Sequence, residues 1–382
     1  MPKESSADKP RAPRAAAFFL VGAMLLAFNL HAPPPISFFP GGLVGGPKPE
    51  SGPANNPVIN TTSGRNFDYI LIILMENHAI CNIMTSCGGS APYMTGLANA
   101  NGLATRYVDC NRPSLPNYLC LSGGTDFGCG GYDGGPHSNP CTNAVWNSQS
   151  IVDRLVNASL TWKAYMEDMP SNCYGSDSGL YIVHHDPFVY YGGTANNATR
   201  CNRVIPAGTG ASTLLSDLGS TSTASNYMWL TPNNCNNMHS CSVSTGDNYL
   251  QGLVPQILNS TVFKTTRAAL FITFDEDSGG SGHPNLYTVW AGPVAKKGFT
   301  SSIAYNHFSL LATIESNWNL SSLTSNDGSA ANMNEFLGTN PATPNPAGLD
   351  LGLLTYALIV VAAAGIVAGL LWRRRRRRTP PT

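Results

Sequence analysis

A serine between two prolines is one residue whose setting could support chemistry. Ser114 lies in RPSLPNYLCLSGG, residues 112–124. A serine hydroxyl becomes a good nucleophile only when a base or a metal ion lowers its pKa. Pro116 fits the first turn of a helix, which would put Ser114 at a helix N-terminus, where N–H groups favour an anion. The segment lacks the G-x-S-x-G pattern of α/β-hydrolases, so metal activation fits better, with an ordinary helix-capping serine as the alternative.

Oxygen-bearing side chains follow two apolar segments that are typical of buried strands. They are Glu76 and Asn77 after FDYILIILM (67–75), and Asp275 and Glu276 after AALFITF (268–274). Carboxylate and amide oxygens gathered at one strand edge would bind a hard or borderline divalent cation, with Zn, Ca, Mg and Fe all open. The alternative is that each acidic group caps the turn that follows it.

Four histidines stand near these acidic segments or in polar motifs. His184 and His185 form HHDPF, His283 follows Asp275 in the same segment, and His307 opens the predicted helix YNHFSLLATIE. Histidine is the side chain that most often transfers protons near neutral pH. His78, His137 and His239 have weaker contexts, and a structural role is expected for those three.

The elements that must position these residues form an α/β pattern. Apolar strand candidates (67–75, 268–274 and 285–293) alternate with helix candidates (116–122, 150–157 and 307–318). This alternation predicts a mainly parallel central sheet, in which ligands bind at the carboxyl ends of the strands. Residues 66–337 are therefore expected to be one domain.

Charge is divided unevenly along the 382-residue chain. Residues 15–349 hold 12 basic and 19 acidic side chains, whereas both ends are basic. An acidic central region argues against nucleic acid as its partner.

Both ends resemble membrane-directed segments. Residues 1–31 have a basic start followed by an apolar stretch, as in a signal peptide or signal anchor. Residues 351–372 carry no charge and precede six arginines, which predicts a transmembrane helix followed by a cytoplasmic tail at 373–382. Segments rich in Pro and Gly (32–65) or in Pro and Asn (338–350) are expected to be linkers. This arrangement predicts a cell-membrane protein with its central domain outside.

Cysteine usage agrees with export. All ten cysteines lie between Cys81 and Cys241, and their even number fits disulfides in an oxidising compartment. The short spacings 81–87 and 235–241 predict local pairs. Five N-x-S/T sequons, at residues 60, 157, 197, 259 and 319, would be acceptors in a glycosylating host.

Taken in order, five segments resemble the phosphoesterase family of the alkaline-phosphatase superfamily. They are MENH, PSLPNYLCLSGG, HHDPF, TFDEDSGGSGHPNLYTVWAGP and YNHFSLLATIE. The family contains acid phosphatases and bacterial phospholipases C. The resemblance implies an alkaline-phosphatase-like three-layer sandwich with a mainly parallel central sheet.

The resemblance also implies roles for residues. The metal ligands would be Glu76, Asn77, Ser114, Asp275 and Glu276, with Ser114 also the nucleophile. The four histidines (184, 185, 283 and 307) would contact phosphate, protonate the leaving group or bind a second metal, with His184 and His185 assigned to catalysis. Asn117, His283 and His307 would bind phosphate.

These features predict an acid-phosphatase-type phosphomonoesterase acting on a small phosphate ester through a phosphoserine. The segment after the first strand reads His78-Ala79-Ile80-Cys81, where many relatives carry other residues, and this argues mildly against a phospholipase C. A phosphodiesterase or phospholipase C with the same site is one alternative. A non-catalytic surface protein that retains the fold is another.

Overall fold

The computed structural model describes residues 63–279 and 285–338. The predicted N-terminal signal segment, the predicted membrane helix at 351–372 and His283 lie outside the described residues. Within the two described ranges, none of the helices has the length and apolar character needed to cross a membrane.

Ten strands are present in the described residues. They are β1 Tyr69–Met75, β2 Gly102–Ala104, β3 Tyr107–Val108, β4 Trp162–Met166, β5 Val204–Pro206, β6 Tyr227–Thr231, β7 Ala268–Phe274, β8 Thr288–Ala291, β9 Phe299–Ser301 and β10 Tyr305–Asn306.

Twelve α-helices accompany the strands of this part of the chain. They are α1 Ile80–Ile83, α2 Pro92–Ala100, α3 Ser114–Gly123, α4 Pro140–Trp146, α5 Ile151–Asn157, α6 Gly192–Ala195, α7 Ala198–Cys201, α8 Ser212–Asp217, α9 Val243–Leu258, α10 Thr261–Thr265, α11 His307–Trp318 and α12 Ser325–Ser329. Short 3₁₀ helices also occur, at Thr85–Cys87, Val183–His185, Pro187–Tyr190, Thr209–Ala211 and Asn334–Phe336.

Eight strands form one sheet in the order β5-β4-β6-β1-β7-β8-β2-β9. Neighbouring strands from β5 to β7 are parallel, and β2 and β9 are also parallel. Only β8 runs against its two neighbours in this sheet. The small pair β3 and β10 is separate and parallel. The prediction of a mainly parallel α/β sheet is confirmed.

The centre of the sheet is covered on both faces. Every residue of β1, β6 and β7 is buried, although successive side chains of a strand point to opposite faces. Parallel strands joined by helical crossovers show this two-sided burial, which is why their sequences are continuously apolar. The apolar runs 67–75 and 268–274 therefore form the middle of the domain and fix where their carboxyl ends emerge.

Most predicted elements are found close to their expected bounds. The helix at 307–318 and the strand at 268–274 have the predicted ends, whereas the strand expected at 285–293 is shorter, Thr288–Ala291. All ten cysteines are paired, and the predicted local disulfides Cys81–Cys87 and Cys235–Cys241 are confirmed. The other three link Cys110–Cys120, Cys129–Cys141 and Cys173–Cys201.

Candidate active site

Two predicted metal-binding carboxylates meet where β1 and β7 end. Met75 and Phe274 are paired in the parallel register of these strands, so Glu76 and Asp275 follow at equivalent positions. Both side chains are fully buried. The Asn77 backbone, at φ 54°, turns sharply away from β1, and its N–H donates to Asp275 Oδ1 at 3.0 Å. Asparagine tolerates this left-handed conformation better than most residues.

Ser114 is brought to the same point by the start of α3. It is the first residue of the helix and is 2% exposed, while Pro113 holds the N-cap position. Its hydroxyl donates to Glu76 Oε2 at 3.2 Å. The alternative interpretation of Ser114 as a helix-capping serine is therefore wrong, because its hydroxyl faces a carboxylate instead of the backbone of its own helix.

Asn117 fixes the loop that precedes the serine. Its Oδ1 accepts from the backbone N–H groups of Cys110 and Asn111, at 2.9 and 3.2 Å. Its Nδ2 donates to the carbonyls of Asn111 and Pro113, at 2.6 and 3.3 Å. The Cys110–Cys120 disulfide closes the same loop onto α3. The predicted contact between Asn117 and phosphate would require this amide to give up bonds that already hold the loop.

The electrostatics of the paired carboxylates favour added positive charge. Burial raises the pKa of Glu76 well above its usual value, and the neighbouring Asp275 carboxylate raises it further. Burial also raises the pKa of Asp275 to about 6, although the Asn77 N–H opposes the rise. Because ionised carboxylates buried together repel each other, a cation between them would stabilise the charged forms.

The residues predicted to bind a metal present buried oxygens without hydrogen-bond partners in the described part of the chain, as a cation site requires. Asp275 Oδ2 and Glu276 Oε2 are buried and lack a hydrogen-bond partner among the described residues. The side-chain oxygen of Asn77 faces only acceptors, 3.2 Å from Asp275 Oδ1 and 3.3 Å from Glu276 Oε1. Rotating the amide so that its NH₂ group donates to these oxygens would satisfy them, and so would a cation bound between them. Among residues 63–279 and 285–338, no three His, Cys, Asp or Glu side chains form a metal-binding group by themselves. The oxygen set that fits a cation thus draws on the amide of Asn77 and the hydroxyl of Ser114 as well as on carboxylates.

Arg112 supplies the nearest positive charge. Its guanidinium pairs with Asp277 and lies 3.3 Å from Asp109 Oδ2 and 4.0 Å from Glu276 Oε2. It also donates to the backbone carbonyl of Asp277 at 3.1 Å. Burial raises the pKa of Glu276 to about 8, and Arg112 acts against that rise. The arginine therefore ties the loop before Ser114 to the chain beyond β7.

His184 and His185 lie beside the serine in different environments. His185 is 2% exposed, stacks on Tyr118 and places Nε2 3.5 Å from Glu76 Oε2. Burial lowers its pKa well below the usual value. His184 Nε2 lies 3.2 Å from Asp133 Oδ2, and its side chain is 18% exposed. Burial lowers the pKa of His184, and the Asp133 carboxylate acts in the opposite direction.

His307 is placed behind the site and faces its backbone. Its ring is fully buried, with Nδ1 3.2 Å from the Tyr107 hydroxyl and Nε2 2.5 Å from the Asp275 backbone carbonyl. Burial lowers its pKa to about 4, so the ring is neutral and donates from Nε2. A phosphate contact by His307 would break one of these bonds, and the observed geometry instead holds the end of β7.

Three further residues lie at the site: Tyr118 and Asp133, for which the sequence predicted no role, and His239, for which it predicted a structural one. Tyr118 donates to Glu76 Oε1, Asp133 contacts His184, and His239 lies with its ring centroid 5.6 Å from that of His185. Tyr118 follows Ser114 by four residues, so helical spacing alone could have found it. Asp133 lies in a loop and comes close only through tertiary folding, so its local sequence carries no comparable signal.

These observations define a class: an α/β protein whose serine starts a helix at the carboxyl ends of central parallel strands. The chain belongs to the Phosphoesterase family, whose sequence pattern it matches over residues 87–321. A protein of the alkaline phosphatase superfamily from Vibrio parahaemolyticus shares the fold. Its TM-score is 0.50 at 12% identity, with 70% of each chain covered.

Named relatives are phosphatases. The chain is 27% identical over 239 residues to a phosphate-repressible acid phosphatase of Penicillium chrysogenum, covering 60% of this chain and 55% of the relative. It is 26% identical over 258 residues to a phosphatidylinositol-3-phosphatase of Mycobacterium tuberculosis, covering 65% and 76%. The chain spans about half the length of two fungal relatives, 55% of the Penicillium protein and 51% of an Aspergillus fumigatus acid phosphatase.

Proposed function

We propose that this protein is a metal-dependent phosphomonoesterase of acid-phosphatase type that acts through a phosphoserine on Ser114. The observation that carries the proposal is the Ser114 hydroxyl, 3.2 Å from Glu76 Oε2 at the start of α3, next to the Asp275 carboxylate. A buried serine facing strand-end carboxylates is arranged to lose its proton and attack phosphorus. The names of the fungal and mycobacterial relatives support a phosphatase.

The chain's own groups would divide the work of phosphoryl transfer. Ser114 Oγ gives its proton to the Glu76 carboxylate that it faces and attacks phosphorus in line with the departing oxygen. The Oγ–phosphorus bond forms as the bond between phosphorus and the ester oxygen breaks. A histidine beside the serine gives a proton to the departing oxygen. Water then attacks the phosphoserine, releasing phosphate and restoring the hydroxyl. Arg112, held by its carboxylate partners, keeps the loop before Ser114 against the end of β7.

A divalent cation would be held by oxygens of Glu76, Asn77, Ser114, Asp275 and Glu276. When bound, it would lower the pKa of the serine hydroxyl and offset charge on the phosphoryl group. The unpartnered buried oxygens of Asp275 and Glu276 support this assignment. This set of oxygen ligands suits oxygen-preferring ions, and Zn, Ca, Mg and Fe are the ions to test.

The acid-phosphatase type is supported by the charges around the serine. Four of the carboxylates near it belong to Asp109, Asp133, Glu276 and Asp277, whereas Arg112 is already paired. A phosphate dianion entering this region would be repelled unless positive charge is added, by a bound cation and by protonated histidines. Burial lowers the pKa of both His184 and His185, so their charged forms require acidic solution.

An outward-facing, membrane-anchored location is part of the proposal. Five disulfides using all ten cysteines support folding in an oxidising compartment. The uncharged stretch at 351–372 followed by six arginines supports an anchor with a cytoplasmic tail. Protease treatment of intact cells tests this: the central domain should be cleaved while a tag placed after residue 382 is protected.

The decisive test of function uses Ser114→Ala with Ser122→Ala as the matched control. Ser122 is buried in the same helix, and its hydroxyl bonds the Tyr118 carbonyl and the Tyr191 hydroxyl, away from the carboxylates. Ser114→Ala should lower kcat for aryl phosphates by at least about 10³-fold, while Ser122→Ala stays within about tenfold of wild type. Equal rates for wild type and Ser114→Ala would end the proposal.

The ester class is tested by comparing a phosphate monoester with a diester that has the same aryl leaving group. A phosphomonoesterase should favour the monoester in kcat/KM, and the preference should vanish in Ser114→Ala. Preference for the diester would instead identify a phosphodiesterase or phospholipase C with the same site. No turnover of either ester, with every candidate cation supplied, would identify a surface protein that retains the fold without the activity.

A further inference from the structure

We propose that Asp133 is a positioning residue that fixes the nucleophile's helix and the ring of His184 relative to each other, making His184 the proton donor to the leaving group. The inference rests on the proposed phosphatase function and goes further by dividing the two adjacent histidines between different tasks. Asp133 lies in a loop, outside all five of the sequence motifs.

One oxygen of Asp133 holds the start of α3. Asp133 Oδ1 accepts a hydrogen bond from the backbone N–H of Leu115 at 2.8 Å. Leu115 directly follows Ser114, and N–H groups at the first turn of a helix have no acceptor within the helix itself. Asp133 therefore satisfies the backbone next to the nucleophile from a loop 18 residues away in sequence.

The other oxygen of Asp133 holds His184. Asp133 Oδ2 lies 3.2 Å from His184 Nε2. At this distance the Asp133 carboxylate acts on the His184 ring through its charge, which favours the protonated ring and opposes the effect of burial on the pKa of His184.

The surroundings of the two histidines suit different tasks. His185 is almost fully buried between the Tyr118 ring and the Glu76 carboxylate, with Nε2 lacking a hydrogen bond in the described structure. Its ring meets that of His184 edge-on, with centroids 4.5 Å apart. His184 has a carboxylate partner and an 18% exposed side chain. A proton donor must be recharged from water after each turnover, and only His184 of this pair has both the partner and the access.

A simple helix cap is the competing explanation of Asp133. A capping carboxylate would need only one oxygen and no histidine. Here a single carboxylate joins the residue after the nucleophile to a histidine ring, so a shift of either group moves the other. Asp133 thereby sets the distance between the attacking oxygen and the proton donor, which act on opposite sides of phosphorus.

Asp133→Asn separates the two roles in the purified full-length protein. The asparagine oxygen can still accept from Leu115 N–H, but the negative charge 3.2 Å from His184 Nε2 is lost. Asp177→Asn is the matched control, because Asp177 Oδ1 accepts from Val183 N–H at 2.8 Å and acts on His184 through its charge, without an ion-pair contact. Asp133→Glu tests whether restoring the carboxylate rescues activity.

The readout is kcat/KM for 4-nitrophenyl phosphate and for glycerol phosphate. Nitrophenolate leaves without a proton, whereas an alkoxide needs one. Asp133→Asn should lower kcat/KM for glycerol phosphate by about 10²-fold or more and for 4-nitrophenyl phosphate by less than about tenfold. Asp133→Glu should recover part of the kcat/KM that Asp133→Asn loses with glycerol phosphate. Asp177→Asn should lower kcat/KM for both substrates by a similar small factor.

Two results would overturn the inference while leaving the proposed function intact. Equal losses for both substrates in Asp133→Asn, in a protein that Ser114→Ala inactivates, would reduce Asp133 to a helix cap. A larger substrate-dependent loss in His185→Gln than in His184→Gln would move the proton donor to His185. Failure of the proposed function gives a different result, because wild type would then hydrolyse neither substrate.

Discussion

Glu76 and Asp275 occupy equivalent positions on adjacent parallel strands, one residue beyond the paired Met75 and Phe274. Both are fully buried, and the nearest guanidinium, that of Arg112, pairs with Asp277 beyond them. Two acidic side chains placed this way repel each other, and Asp275 Oδ2 has no hydrogen-bond partner among residues 63–279 and 285–338. The strands themselves are apolar and fully buried. The free-energy cost of the carboxylate repulsion therefore arises at the site and not in the core.

Divalent cations should therefore raise the unfolding temperature of the wild-type protein. A cation present at 100 times its dissociation constant stabilises the folded state by about 2.7 kcal/mol. Glu76→Gln and Asp275→Asn should each abolish this gain and, without cation, should unfold at a temperature equal to or above that of wild type, because the repulsion is relieved. Thermal unfolding with and without a chelator measures both effects.

Glu167→Gln is the matched control for the cation experiment. Glu167 follows β4 at the same edge of the sheet, but its Oε2 already accepts from Asn233 N–H and Asn236 Nδ2, at 2.9 and 2.8 Å. The control should keep the full response to cation. Loss of the response in Glu167→Gln, or its survival in Asp275→Asn, would place the cation elsewhere.

Asn117→Ala should destabilise the loop of residues 110–113, which precedes Ser114. It removes the amide that bonds four backbone groups of residues 110–113, which should cost about 2–4 kcal/mol and lower kcat because Ser114 loses its fixed position. Denaturant unfolding and steady-state kinetics measure the two effects.

Asn317→Ala provides the comparison for Asn117→Ala. Its Oδ1 accepts from Asn66 and Phe67 N–H, at 2.7 and 3.1 Å, and its Nδ2 donates to the Phe67 carbonyl, at the opposite end of β1 from Glu76. This variant should lose stability while kcat is retained well below its unfolding temperature. A raised KM with unchanged stability in Asn117→Ala would favour the direct phosphate contact instead.

The parts of the site that follow strands were predictable, whereas the parts held by loops were not. The positions of Glu76 and Asp275 follow from apolar runs whose length and burial are local properties of the sequence. The contacts of Asn117 and Asp133 depend on loops that close through tertiary packing and the Cys110–Cys120 disulfide. His307 is a further example. Its motif predicts a functional histidine, but the hydrogen bond from its ring to the Asp275 carbonyl depends on tertiary packing that the motif does not contain.

The disulfide that encloses Ser114 should matter more for catalysis than one outside the site. Cys110 and Cys120 enclose Ser114 and Asn117, whereas Cys173–Cys201 joins two segments outside this loop. Closing a loop of about 10–30 residues stabilises a protein by roughly 2–4 kcal/mol, so both double Cys→Ser variants should lose similar stability. Only the Cys110/Cys120 variant should also lose kcat, measured at a temperature where both remain folded. Equal kcat values in the two variants would contradict this role.

A second buried carboxyl pair, away from the site, should control the dependence of stability on pH. Burial raises the pKa of Glu315 to about 9, and the nearby Asp327 carboxylate raises it further. Both accept from the Leu323 N–H, and Asp327 Oδ1 also accepts from Thr324 N–H at 2.9 Å. Thr324 in turn donates to the Gly124 carbonyl at the end of α3, so this pair supports the helix that begins at Ser114 from its far end.

The sign of the effect follows from the raised pKa of Glu315. Unfolded glutamate has a pKa of about 4.3, so the folded state binds the proton more tightly and gains stability that is fully present below that pH. This stability is lost as pH rises toward about 9, the pKa of Glu315 in the folded state.

Glu315→Gln should flatten the decline and raise the free energy of unfolding at pH 8–9 by on the order of 1 kcal/mol. Glu335→Gln, which removes a carboxylate bonded to the Tyr305 hydroxyl at 2.8 Å, should leave the decline unchanged. Denaturant unfolding from pH 5 to 9 measures the difference. Parallel curves of unfolding free energy against pH for wild type and Glu315→Gln would contradict the raised pKa of Glu315.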